Sequence, residues 1–279
     1  MQQIVKTVAL IAVFALLSGC MPLQPVMRQN QGGVEAAAGA KRTYILVHGA
    51  FQDHTAWSEV TPRLEAAGHT VITPDLPGRR GDPTAIGDIT LDSYRDIVID
   101  LVNGQSGKVV LVGHSFGGIT ISVVAEAIPD KIEALVYVAA YLPVTGDSLA
   151  TLAAEDHDSK FNENNFLLAP DYSTASVLED DVVLIFCADC TAAFQQRTLA
   201  SIQPEPLGPM NTPVTLTADN FGTVRKIYVE TLRDNAVSHA LQTWMLERTP
   251  VDETVTLDTG HAPFFVDPQG LATALLELP

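Results

Sequence analysis

The chain has 279 residues, 47% of them hydrophobic, enough to bury the core of one large α/β domain and too many for a globally disordered chain. Its formal net charge is −17 and its pI is near 4.6. Such a surface repels phosphate backbones, which argues against nucleic acid as a partner.

The first twenty residues, MQQIVKTVALIAVFALLSGC, place Lys6 before an apolar run over residues 8–17. The run is shorter than the roughly 20 residues needed to span a bilayer and has the character of an export-signal core. The ending LSGC resembles the lipobox of bacterial lipoproteins. That implies a signal peptide over residues 1–19, lipidation of Cys20 and anchorage on a membrane, since several acyl chains hold where a single one does not. An ordinary secretory signal with an incidental cysteine is the alternative. Met21 after the cysteine implies outer-membrane sorting, on the periplasmic side, if the host is Gram-negative. Residues 20–40, rich in Gln, Gly, Ala and Pro, suit a flexible tether.

From residue 41 short apolar runs alternate with amphipathic ones, the pattern of a mostly parallel central sheet flanked by helices. Strands are expected at residues 43–47, 70–73, 108–112, 134–139, 226–229 and 254–257. Helices are expected at 56–67, 91–103, 116–128 and 269–278, with Gly68, Gly104 and Pro129 as stops. The rhythm breaks between about 143 and 221, where no sheet strand is evident. The apolar content of FNENNFLLAP and VVLIFCADC there argues for an ordered, inserted helical cap. Within it, Cys187 and Cys190 could form a local disulfide in an exported compartment or remain two thiols; the sequence leaves both open. No second cysteine pair completes a zinc site and no histidine pair has ligand spacing, so neither a metal nor another cofactor is expected.

One motif carries chemistry. Gly113-His114-Ser115-Phe116-Gly117 lies between the strand-like KVVLV and a helical run, the context in which Gly-x-Ser-x-Gly forms a nucleophile elbow. A sharp turn exposes the serine hydroxyl, small residues at 113 and 117 let strand and helix approach closely, and the helix N-terminus favours developing negative charge.

With YILVHGAFQDHTAWSEVTPRLEAAGHTVITPDLPG, VVLVGHSFGGITI, IQPEPL, KIYVETLRDNAVSHALQTWM and TGHAPFF in order, the chain resembles the α/β-hydrolase fold superfamily. More narrowly, it is similar to the branch of plant methyl esterases, hydroxynitrile lyases and small bacterial esterases. The resemblance implies Ser115 as nucleophile and, in the family's chain order, an acid and then a histidine. Of the seven histidines, His261 matches the family's base, following a late strand. The acid follows the strand at 226–229, and the register set by Gln242-Thr243-Trp244 selects Asp234; Asp258, three residues before His261, is the alternative. The same family logic gives the backbone N–H groups of Ala50 and Phe116 as the oxyanion hole.

Three activities share such a triad. A carboxylesterase would form an acyl-enzyme on Ser115. A hydroxynitrile lyase of this branch carries a lysine after the base and a threonine in the oxyanion loop; Ala262 and Gly49 stand at those positions here, which removes the cation supporting cyanide departure. A hormone-receptor-like binding module would have lost triad residues, and none is lost. A perhydrolase would use the same groups. The expected substrate is a small-to-medium hydrophobic ester, with Phe51, Tyr141, Leu142 and Phe264 as candidate walls. The sequence does not speak to oligomeric state.

Overall fold

Runs such as TYILV and VVLVGH show no polar–apolar alternation, as expected of parallel strands covered on both faces. The structure, a computed structural model, describes residues 41–278. The signal peptide, Cys20 and the tether lie outside the described residues. In chain order the strands are β1 (Thr43–Val47), β2 (Thr70–Ile72), β3 (Val109–His114), β4 (Ile132–Val138), β5 (Phe166–Leu168), β6 (Thr174–Val177), β7 (Glu205–Pro206), β8 (Lys226–Thr231) and β9 (Glu253–Leu257). The helices are α1 (Thr61–Ala66), α2 (Leu91–Asn103), α3 (Gly117–Ala127), α4 (Leu149–Ala154), α5 (Glu179–Phe186), α6 (Ala192–Ser201), α7 (Leu207–Asn211), α8 (His239–Arg248), α9 (Pro263–Val266) and α10 (Pro268–Leu276).

Six strands form the central sheet in the order β2-β1-β3-β4-β8-β9, and every pairing in it is parallel. The fold is therefore the α/β arrangement expected. Apolar side chains of β1, β3 and β4 divide between two hydrophobic clusters, one on each face. Tyr94, Val98 and Val102 of α2 bury the stripe that its spacing predicts. On the opposite face, Leu271 and Leu275 of α10 pack beside Leu64 of α1, and the Tyr44 hydroxyl donates to the Leu275 carbonyl at 2.8 Å.

Beyond shifts of one or two residues at element ends, two features differ from expectation. The helix expected over residues 56–67 divides into a 3₁₀ turn at His54–Trp57 and the short α1. Asp53 caps the turn, and Pro62 restarts a helix in the first turn, where its missing N–H costs nothing. The inserted cap between β4 and β8 is mainly helical, but it also holds an antiparallel sheet, β5-β6-β7. Those strands have three, four and two residues, too few for a period-two pattern to register.

The strand order brings four carboxyl ends together. The chain leaves β1 into His48-Gly49-Ala50, β3 into Ser115, β8 into Asp234 and β9 into His261. Crevices outside the carboxyl ends of parallel strands are where ligands bind in open α/β sheets.

The tight strand-to-helix turn at β3–α3 tolerates no side chain at position 113. A Cβ there would lie 2.5 Å from the Gly117 carbonyl oxygen, which is backbone and cannot rotate away. Gly113→Ala should destabilise the fold by about 1–3 kcal/mol, read as a lower Tm. Gly107→Ala, whose Cβ would meet nothing within 4 Å, should stay within about 0.5 kcal/mol of the parent.

Candidate active site

Ser115 occupies the left-handed backbone region at φ 51, a conformation that costs an L-residue about 1–2 kcal/mol. The neighbouring backbone holds it there. Its N–H donates to the Val138 carbonyl at 3.3 Å, and its carbonyl accepts from the N–H groups of Gly118 and Tyr141, both at 3.1 Å. Phe116 is the N-cap of α3, so its N–H is among those a helix leaves without an intrahelical acceptor. Its ring turns into the core against Tyr94, with centroids 6.0 Å apart.

His261 and Asp234 meet. The imidazole Nδ1 lies 2.8 Å from Asp234 Oδ2, and both side chains are essentially inaccessible to solvent. A carboxylate can only accept, so Nδ1 carries a proton, and in the neutral form of the ring the lone pair lies on Nε2. Asp234 Oδ2 also accepts from the Thr231 hydroxyl at 2.9 Å, and Oδ1 accepts from the N–H groups of Ala236 and Val237 at 2.8 and 2.9 Å. Asp258 is exposed and paired with Arg233, Nε to Oδ1 at 2.8 Å. The structure thus brings Asp234, and not Asp258, to the imidazole.

The value of Gln242 as a register marker has a structural basis. Its Oε1 accepts from the Thr231 N–H at 3.0 Å, and its Nε2 donates to the Thr231 hydroxyl at 3.0 Å and the Val237 carbonyl at 2.8 Å. One buried amide therefore ties the end of β8 to the turn carrying Asp234. A second tether comes from the cap. Cys187 and Cys190 are joined as a disulfide, with Cα atoms 5.1 Å apart. Asp189 inside that loop accepts from the Gly260 N–H at 2.7 Å, immediately before His261.

Two further histidines support the site, His48 beside Gly49 and His114 inside the elbow motif. Burial, with the Arg79 charge nearby, pushes the His48 pKa down to about 4. The neutral ring donates from Nδ1 to the Gly49 carbonyl at 2.8 Å and accepts at Nε2 from the Leu76 N–H at 3.0 Å, which fixes the loop after β1. Burial, then the neighbouring His261, holds the His114 pKa well below the ordinary histidine range. His114 Nε2 donates to the His261 carbonyl at 2.8 Å, and the two rings lie 4.5 Å apart. Gly49 makes this crowding feasible, since a Cβ there would lie 2.8 Å from both His114 Nδ1 and Ser115 Cβ. The lone signal for these roles in the sequence is adjacency to Gly49 and Ser115.

A cavity of about 690 Å³ opens over Ser115. Ala50, Phe51, Ser115 and Tyr141 line it from the sheet side, and Leu149, Ala153, Phe161, Phe166, Phe186 and Met210 line it from the cap. Asp156, Glu163, Asn162 and Asn211 add polar atoms, and none of the lining residues is Lys or Arg. His261 is buried, with its ring 5.9 Å from that of Phe186. Two expected wall residues stand elsewhere. Leu142 is fully buried with its N–H on Met245 Sδ, and Phe264 packs between Trp57 and His114 in the core cluster beneath the site. Ala262, at the position where a lyase would carry its lysine, is 2% exposed.

Among the described residues, the ligand atoms of Asp53, His54 and Asp75 lie within 4.8 Å of one another. Both carboxylates are already engaged locally, by the Thr55 and His54 N–H groups.

Comparison with known proteins identifies the family. The sequence pattern of the alpha/beta hydrolase family matches residues 44–274. Methyl jasmonate esterase 1 of Vitis vinifera is 30% identical over 254 residues, covering 85% of this chain and 97% of that protein. Putative methylesterase 11, chloroplastic, of Arabidopsis thaliana is 32% identical over 270 residues, covering 92% of this chain and 68% of that protein. Among solved structures, a pyrethroid hydrolase from Sphingobium faniae JZ-2 superposes with a TM-score of 0.76 at 26% identity, covering 84% of this chain and 95% of that one. Polyneuridine aldehyde esterase, at 23% identity and a TM-score of 0.75 over 85% of this chain and 98% of that one, shares the fold. The chain belongs to the alpha/beta hydrolase family, within its carboxylic ester hydrolases.

Proposed function

We propose that this protein is a serine carboxylesterase for neutral, largely hydrophobic esters. The observations that carry the reading are the buried Asp234–His261 pair, whose imidazole lies 4.5 Å from the ring of His114 next to Ser115, and the opening of that elbow serine into an apolar cavity without cations. Ser115 Oγ attacks the ester carbonyl while His261 Nε2 takes its proton. Asp234 keeps the imidazole in the Nδ1–H tautomer and stabilises the imidazolium without accepting the proton. The N–H groups of Ala50 and Phe116 receive the developing oxyanion. His261 then protonates the departing alcohol, leaving an acyl-enzyme. Water, activated by the same imidazole, releases the acid and restores the serine.

The cavity has the size of sites that take drug-sized ligands. Its apolar wall suits a bulky acid or alcohol, and the names of the relatives point to methyl and pyrethroid esters. The apolar, buried Ala262 supports ester hydrolysis over cyanohydrin cleavage, because no cation there would stabilise a departing anion. We further propose that Cys20 carries the lipid anchor, on the strength of the LSGC motif.

Ser115→Ala should abolish hydrolysis of p-nitrophenyl butyrate while the far-UV circular dichroism is unchanged; turnover near the parent level would overturn the serine mechanism. Asp234→Asn should lower kcat by roughly 10⁴-fold, as an inverted tautomer does, whereas Asp258→Asn should cost less than about twofold, since an exposed pair contributes little. On charge grounds, a methyl ester bearing a free carboxylate should show a kcat/KM at least about tenfold below its neutral analogue, because the buried charge would lack a partner. Equal rates would show that the wall does not exclude anions. Cys20→Ser should move the protein from the membrane fraction to the soluble fraction, and a soluble parent would disprove lipidation.

A further inference from the structure

The cap grips the oxyanion loop through one carboxylate. Glu205 lies on β7, opposite Ala175 of β6, and is 1% exposed. Its Oε2 accepts from the Phe51 N–H at 2.7 Å and from Arg79 Nη2 at 2.6 Å, and its Oε1 accepts from the Tyr94 hydroxyl at 2.9 Å. Two residues earlier, the Gln203 N–H donates to the Phe51 carbonyl at 3.0 Å. The same short cap segment thus holds both backbone polar groups of Phe51. Phe51 needs holding, since it is a non-glycine residue at φ 64, a conformation that persists only where the surroundings over-determine it.

The Phe51 N–H belongs to the rigid peptide plane that starts at the Ala50 carbonyl. Anchoring that plane limits rotation about the Ala50 backbone, and with it the direction of the Ala50 N–H. A lone carboxylate so close to an oxyanion site would oppose the negative charge forming there. Arg79, as buried as Glu205, cancels it. We propose that Glu205 is a positioning residue for ester hydrolysis: from the cap it locks the Ala50–Phe51 peptide so that the Ala50 N–H stays aimed at the oxyanion. This rests on the reading of Ser115 as nucleophile and Ala50 as oxyanion donor.

Glu205→Asp tests it, because the charge beside Arg79 is kept while the acceptor retracts from the Phe51 N–H by one methylene. The kcat on a neutral methyl ester should fall about tenfold with KM within about twofold, a fraction of the 10²–10³ that deleting an oxyanion donor costs. Inhibition by a trifluoromethyl ketone, which forms a tetrahedral adduct on the serine, should weaken by a similar factor, while binding of the unfluorinated ketone is retained. Glu205→Gln, an acceptor of the same length, should recover most of the kcat loss in the folded protein, at a lowered Tm because Arg79 loses its buried anion. An unchanged kcat in folded Glu205→Asp, or equal weakening of both ketones, overturns the proposal. If Glu205→Asp does not fold, amide exchange in the unsubstituted protein decides: the Phe51 amide should be as protected as those of β3, and solvent-like exchange overturns the proposal. Activity surviving in Ser115→Ala would instead remove the underlying reading, whatever Glu205→Asp shows.

Discussion

The site depends on one buried carboxylate. Removing an anion from water costs several kcal/mol unless its lone pairs are occupied. Asp234 meets that condition with two backbone amides, one hydroxyl and the His261 imidazole. Each partner constrains a different part of the chain. The amides of Ala236 and Val237 define the turn before α8, Thr231 sets the end of β8, and His261 belongs to the loop after β9. Gln242 locks the first two together from within α8. Satisfying the charge and orienting the histidine are therefore the same structural act.

The floor of the site is built by close approach. β1 and β3 are hydrogen-bonded neighbours, and the loops leaving them converge until Gly49, His114 and Ser115 have no room for another atom. Two histidines occupy this crowded ground because burial keeps both neutral. A neutral imidazole offers one donor and one acceptor, which His48 uses to join the loops after β1 and β2. His114 uses its donor to fix the backbone of His261. Had either ring been charged, its burial without a carboxylate would have been costly.

The cap is more than a lid over this floor. Phe161, Phe166 and Phe186 form a ring cluster with Phe51 that walls the cavity. Asp189 in the disulfide loop and Glu205 on β7 reach past that wall to the backbone on either side of Ser115, one at Gly260 and one at Phe51. The segment that walls the cavity also touches the loops that hold the proposed catalytic residues. A substitution in the cap can therefore change rate as well as specificity.

The sequence by itself determined the parallel sheet, because strands buried on both faces must be continuous apolar runs. It also determined the elbow serine, because a strained strand-to-helix turn needs its glycines at set offsets. His261 and Asp234 were legible through chain order and the Gln242 register. The register favoured Asp234 over Asp258; only the tertiary structure shows which carboxylate the β8 and β9 loops turn to the imidazole, with Asp258 paired to Arg233 at the surface. It also joined Cys187 to Cys190, moved Leu142 and Phe264 from the expected wall into the core, and paired Glu205 with Arg79 across 126 residues. These are contacts between segments distant in sequence, and local pattern carries no information about which distant groups will meet.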